Sequence, residues 1–329
     1  MSGARLPRPG FARRTLRDVL LIAAAAGAAG CFAHQYRSKP RVAVVDGDPI
    51  VQMKRTGEFP AVTKPSLVAP DQHSDPPDGD SRILGLTVGA VPRAYPIGLL
   101  DRFEVVNDAV PDLPFVVARC ALTGVTAAFD RRVGEQVLVF QNSGALWRDT
   151  LVMRDTATGT FWSAATGRAL HGPLAGRQLR PVPAVVARAD DWQRAFPASL
   201  IMDLDEDTSV PLSMRIYGAS PWQGISGEKT SDSRHRPKEE VFTVGQEDEA
   251  VAFTAGEIEA AGRLETSLGG ERISLRWDAA LEAPRACGPD GEERAVIPML
   301  WFAAARHYAV VTTLGDNANG GRSAVRDLP

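Results

Sequence analysis

From residue 82 onward, short runs of alternating apolar and polar positions are broken at close intervals by Gly, Pro, Asp and Asn. The first run, Arg82-Ile83-Leu84-Gly85-Leu86-Thr87-Val88, meets a Gly89-Ala90-Val91-Pro92 turn and then Arg93-Ala94-Tyr95, which predicts a β-hairpin. Further strands are predicted at 115–119, 126–129, 136–141, 151–154 and 178–182. Helical patterning is confined to 96–101, to 189–196 just before Pro197, and to 255–260, with Asp190 and Asp191 suited to the first turn of the second helix. The fold class read from this pattern is mainly β, with α+β as runner-up: one antiparallel, β-rich body with few short helices.

An echo runs through the body. Thr243-Val244-Gly245, a turn and Ala252-Phe253-Thr254-Ala255-Gly256-Glu257-Ile258 repeat the order of Thr87-Val88-Gly89, a turn and Ala94-Tyr95-Pro96-Ile97-Gly98-Leu99-Leu100. This is the signature of two related hairpin-plus-helix units, although short hairpin patterns also recur by chance in β-rich chains.

The first residues read differently. Arg5, Arg8, Arg13, Arg14 and Arg17 precede an apolar run from Val19 that ends in Ala28-Ala29-Gly30-Cys31, the layout of a secretion signal. Extended to Ala33 the run has 15 residues, or about 22 Å of helix against about 30 Å of hydrocarbon, short for a true span. Arg13-Arg14-Thr15-Leu16 resembles a twin-arginine export signal, with Arg17 and Asp18 departing from its usual continuation. Cys31 after Ala-Ala-Gly resembles a lipoprotein cleavage box, and the alternative is a cysteine in a short uncleaved anchor. Both readings expect export and tethering at the periplasmic or extracellular face of a membrane. The predicted organisation is therefore a signal or anchor at 1–33, a flexible stalk at 34–80 broken by one short strand at 42–45, a β-rich domain at 81–315 with lobes at about 81–205 and 236–315, and a disordered tail at 316–329.

Composition narrows the partners. Lys plus Arg number 37 and Asp plus Glu 40, giving a net charge of −3, so no single-sign field favours nucleic acid. The 30 Gly and 24 Pro residues suit many short strands better than a helical bundle. Five scattered histidines offer no zinc-like spacing, so no metal site is predicted. The polar stretch between Asp203 and Pro237 contains Gly224-Ile225-Ser226-Gly227-Glu228-Lys229-Thr230. Its ending mimics a phosphate loop, but the glycines are three apart and no apolar strand leads in, so nucleotide binding is rejected.

Several motifs occur together: Arg93-Ala94-Tyr95-Pro96, Phe103-Glu104-Val105-Val106-Asn107-Asp108, Cys120-Ala121-Leu122-Thr123-Gly124, Phe129-Asp130-Arg131 and Ser143-Gly144. With Gly172-Pro173-Leu174-Ala175-Gly176 and the 192–197 segment in the same order, the chain resembles the bacterial domain-of-unknown-function family DUF3179. That resemblance implies no established activity. Relatives of that kind often carry a histidine before the glutamate of Glu-x-x-Asn-Asp and a Tyr-Cys-Pro-Leu segment running to a second cysteine. Here Phe103, Arg119, Ala121 and Thr123 stand at those positions, so a local dithiol is missing.

Candidate chemistry rests on a few polar residues. Cys120 ends a predicted strand and is the candidate catalytic nucleophile. At the ordinary thiol pKa only about 3% would be thiolate at pH 7, and a buried, inert cysteine is the alternative. Cys120 and Cys287 form an even pair once Cys31 is acylated, so a disulfide is a third reading. Glu104, Asn107, Asp108, Thr123 and Ser143 are the candidate binding-cleft residues. Asn107 and Asp108 also suit a plain turn, and Ser143 lacks the Gly-x-Ser-x-Gly frame of a nucleophile elbow. The expected function is a ligand- or partner-binding module of the cell envelope, taking a small ligand or an envelope protein, with a thiol-dependent redox enzyme using Cys120 as the alternative.

Overall fold

The computed structural model describes residues 34–206, 210–246, 248–314 and 324–325. The export signal, Cys31 and most of the 316–329 tail lie outside the described residues. Strand accounts for 42% of the structure and helix for 16%, which decides for mainly β over α+β. The strands form small antiparallel sheets in a propeller-like arrangement with six short helices.

The internal echo is a structural duplication. In the first unit, strands Arg82–Leu86 and Arg93–Pro96 pair antiparallel, helix Ile97–Phe103 follows, and strands Val105–Val110, Leu113–Arg119 and Thr126–Asp130 meander into the next sheet. In the second unit, strands Glu240–Gln246 and Glu249–Phe253 pair, helix Ala255–Ala261 follows, and strands Arg263–Leu268, Glu271–Asp278 and Ala283–Cys287 meander in the same way. Each unit closes alike. Strand Val185–Arg188, helix Ala189–Ala195 and strand Leu200–Met202 flank the first hairpin, and strand Ile297–Leu300, helix Trp301–His307 and strand Val310–Thr313 flank the second. The last strand of each set runs parallel to its hairpin strand. The Ala94 to Leu100 part of the echo falls on equivalent positions. The Thr87-Val88-Gly89 part does not, because those residues turn the first hairpin whereas Thr243, Val244 and Gly245 are inside a strand.

The strands are apolar on both faces because both faces are covered. Along Leu113–Arg119, Phe115 and Val117 enter one hydrophobic cluster while Val116 and Ala118 enter another. Gly85 is required by packing: a Cβ there would lie 2.1 Å from the Trp192 ring, which is buried and donates from Nε1 to Ser199 Oγ at 2.8 Å.

Between Asp130 and Pro181 the first unit carries an insertion with no counterpart in the second, where Ala283–Cys287 passes directly to Glu293–Arg294. Four strands of the insertion, Phe140–Trp147, Thr150–Asp155, Phe161–Ser163 and Ala169–His171, form a six-stranded sheet with Arg41–Val45 and Asp48–Gln52.

That pairing corrects the expected stalk. Residues 41–52 form a sheet hairpin with Ile50 and Val51 buried, Val62–Thr63 runs parallel to Val105–Val110, and Leu67–Val68 pairs with Leu200–Met202. Val62–Thr63 and Leu67–Val68 have two residues each and leave no side-chain period to read, and of the 41–52 hairpin only the strand at 42–45 was expected. The strand expected at 136–141 is split. Leu138 is buried, with its N–H donating to Arg131 O at 2.9 Å and its carbonyl accepting from Arg131 Nη1 at 2.6 Å, and a longer strand starts only at Phe140. The first helix is displaced to Ile97–Phe103, with Pro96 as its extended N-cap. Asn107 and Asp108 lie inside a strand, not a turn. The polar stretch after Asp203 contains an unforeseen helix, Leu212–Ala219. All five hydrophobic clusters are made of residues beyond 34, so a chain beginning at His34 retains the packed core.

Candidate functional site

A cleft of about 290 Å³ opens over the central strand of the six-stranded sheet. Its floor holds Glu104, Asn142, Gly144 and Leu146, and its walls are mostly apolar, with Met53, Phe59, Leu122, Tyr217 and Trp222 among them. Helix Leu212–Ala219 covers it and is pinned by its C-terminal turn. There the Tyr217 hydroxyl donates to Leu122 O at 2.6 Å and accepts from Gly224 N at 3.0 Å, while Lys238 Nζ lies 3.7 Å from the ring centre.

Local backbone irregularities aim the floor residues. The register of Phe140–Trp147 against Thr150–Asp155 slips between Asn142 and Ala145, forming a bulge at Ser143-Gly144. Gly144 has φ +72°, and a Cβ there would lie 2.4 Å from Lys54 O, so only glycine fits. The Gly144 carbonyl accepts from Met53 N and Lys54 N, both at 2.9 Å, tying down the neighbouring loop. Asn142 Oδ1 accepts from Gly144 N at 2.7 Å, and its Nδ2 is thereby turned to donate to Glu104 Oε2.

Glu104 is the C-cap of helix Ile97–Phe103 and has φ 61°, a left-handed conformation that costs a non-glycine residue about 1 kcal/mol. Burial pushes its carboxyl up to about 7, helped by the nearby Asp101 charge and opposed by the Asn142 hydrogen bond and Arg119. A carboxyl that titrates near neutrality in an apolar cleft can donate or accept a hydrogen bond, or move a proton, at physiological pH.

The other sequence candidates do not line this cleft. Cys120 is buried behind the floor, where its Sγ accepts from Leu151 N at 3.4 Å. Burial pushes its thiol up, and the Glu104 charge adds to that, so the thiolate a nucleophile needs is disfavoured. Thr123 is buried and its carbonyl accepts from Leu300 N at 2.7 Å. Ser143 Oγ donates to Val152 O at 2.5 Å and accepts from Ala145 N at 3.0 Å, which closes the bulge and leaves the hydroxyl engaged. Asn107 clamps Phe140 from both sides, accepting from its N–H and donating to its carbonyl, each at 2.8 Å. Asp108 accepts from Arg93 and, at 2.5 Å, from the Tyr95 hydroxyl. Of the six residues predicted together, only Glu104 faces the opening. Cys120 and Cys287 are both free, so no bridge joins them.

Asn142 was missed as a partner for Glu104. Its one sequence signal was its place before Ser143-Gly144. The mimic of a phosphate loop is a structural clamp: the amides of Ile225 and Ser226 both donate to Asp149 Oδ1 at 2.7 Å, and Asp149 Oδ2 accepts from Arg306 Nη1 at 2.6 Å. Donors that would face a phosphate are thus already taken by a carboxylate. Among the described residues no three His, Cys, Asp or Glu side chains come together as metal ligands, and no helix is long and apolar enough to cross a membrane.

The fold and site define an internally duplicated, mainly β protein with an apolar cleft built where an insertion meets its first unit. No curated protein and no solved structure matches the chain. Residues 56–327 match the model of a family described as a protein of unknown function, DUF3179, and the chain belongs to that family.

Proposed function

We propose that the chain is an exported, envelope-tethered binding module whose cleft takes a small, largely apolar molecule with one hydrogen-bonding end. The carrying observation is the Glu104–Asn142 pair at the floor of an otherwise apolar cleft. Asn142 engages Oε2 of Glu104, a cleft-lining residue, and the carboxyl's other oxygen is the group to take a ligand hydroxyl or carbonyl. Apolar walls with a few placed polar groups are the usual make-up of small-molecule sites. Export is supported by the basic and apolar segments before Cys31. Redox chemistry at Cys120 has less support, since that thiol is buried and held protonated.

Calorimetric titration of 1-octanol into a chain beginning at His34 tests the reading. One saturable site is expected, lost in Leu146→Trp, which fills the cleft, and weakened about tenfold in Glu104→Leu through the lost hydrogen bond. Absence of saturable binding, or equal binding by the filled variant, would overturn it.

A further inference from the structure

Four of the seven large apolar side chains exposed among the described residues belong to the mouth of this cleft or the approach to its cover. Phe59 lines the mouth and is 37% exposed. Leu212 and Ile216, one turn apart on the covering helix, are 69% and 47% exposed, and Val210, two residues before that helix, is 56% exposed. The same helix turns Met214 and Tyr217 into the cleft. A surface helix that is apolar both inward and outward has an outer face unsuited to water.

Two further facts say what covers it. Gln35 also lines the cleft, two residues after the apolar run that ends at Ala33, so a tether through that run would hold the mouth close to a bilayer. Arg37, Arg55 and Arg215 are exposed and lie within two residues of the cleft-lining Gln35, Lys54 and Met214, a charge pattern suited to anionic headgroups.

We infer that the covering helix lies in the membrane interface and that the cleft is loaded from the bilayer with a single-chain amphiphile, its hydrogen-bonding end at Glu104 and Asn142 and its chain along the apolar walls. This rests on the binding reading above and adds the source and class of the ligand. Binding involves no covalent step.

The test uses the full chain reconstituted in phosphatidylcholine–phosphatidylglycerol vesicles containing a diazirine-bearing fatty acid, with adducts mapped by mass spectrometry after irradiation. Adducts are expected both on the outer helix positions Leu212 and Ile216 and on cleft peptides at 53–59 and 222–225. Leu146→Trp and, as a second filling variant, Met214→Trp should lose the cleft adducts and keep the outer ones. Leu212→Ser with Ile216→Ser should lower the cleft adducts at least fivefold. Adducts on the outer face alone, or cleft adducts unchanged in the double serine variant, would overturn the inference. Saturable octanol binding without any cleft adduct would overturn bilayer loading and leave the binding reading standing, whereas loss of both would remove the two together.

Discussion

The two units of the duplication place Glu104 and Gly262 at the same point. Each follows a seven-residue helix, Ile97–Phe103 or Ala255–Ala261. Each donates its N–H to the residue four back, Leu100 or Ile258, at 2.8 Å. Each accepts from the end of the second meander strand, Arg119 N at 2.8 Å or Trp277 N at 2.9 Å. Both are left-handed, with φ 61° and 69°. The second unit fills the position with the residue whose backbone suits it, and the first keeps a glutamate there. The fold alone therefore does not ask for Glu104. What differs around it is the insertion, which brings Asn142 and the cleft floor only to the first unit. Left-handed strain kept at Glu104, where the equivalent position is glycine, is consistent with a role beyond the fold.

The largest effect is expected where the insertion is tied to the second unit. Asp149→Ala removes the acceptor of Ile225 N, Ser226 N and Arg306 Nη1 from a buried position. Urea denaturation should show a loss of about 3–5 kcal/mol, the range for breaking a buried ion pair from one side. A loss below about 1 kcal/mol would mean that the insertion is not locked to the second unit.

Exchanging the equivalent residues sharpens the comparison. Glu104→Gly should stabilise the fold by roughly 2–4 kcal/mol at pH 8, from relief of the left-handed backbone and of a buried carboxylate, and should abolish octanol binding. Gly262→Glu, where a Cβ meets nothing within 4 Å, should cost only about 1 kcal/mol from the backbone. If Glu104→Gly is instead destabilising, Glu104 serves the fold and the comparison fails.

A comparable effect appears in the pH dependence. With its carboxyl raised from 4.5 to about 7 in the folded state, Glu104 contributes stability that is full below pH 4.5 and lost as pH rises through 7, up to about 3 kcal/mol. Glu104→Gln should remove that part of the slope while keeping the backbone strain. Parallel slopes for the two proteins across that window would contradict the raised carboxyl.

The hairpins, the first helices and the Ala94-to-Leu100 echo were legible in the sequence because period-2 apolar runs and turn residues act locally. Glu104 was legible for a similar reason, as an acid flanked by apolar Phe103 and Val105. Asn142 was not, since its role depends on a register slip at its own position and on a partner 38 residues away, neither of which a local pattern announces. Cys120, Thr123 and Ser143 look reactive in one dimension and are spent on core packing and bulge closure in three. Of the hairpin at residues 41–52 only the first strand was legible, because the hairpin's partner is the insertion, far along the chain.

The most direct measurement is a carbon NMR titration of the Glu104 carboxyl, with and without 1-octanol. A midpoint near 7 that moves when octanol is added is the predicted result. A midpoint at an ordinary carboxylate value, unmoved by octanol, would contradict the assignment of Glu104 as the polar floor of a binding cleft.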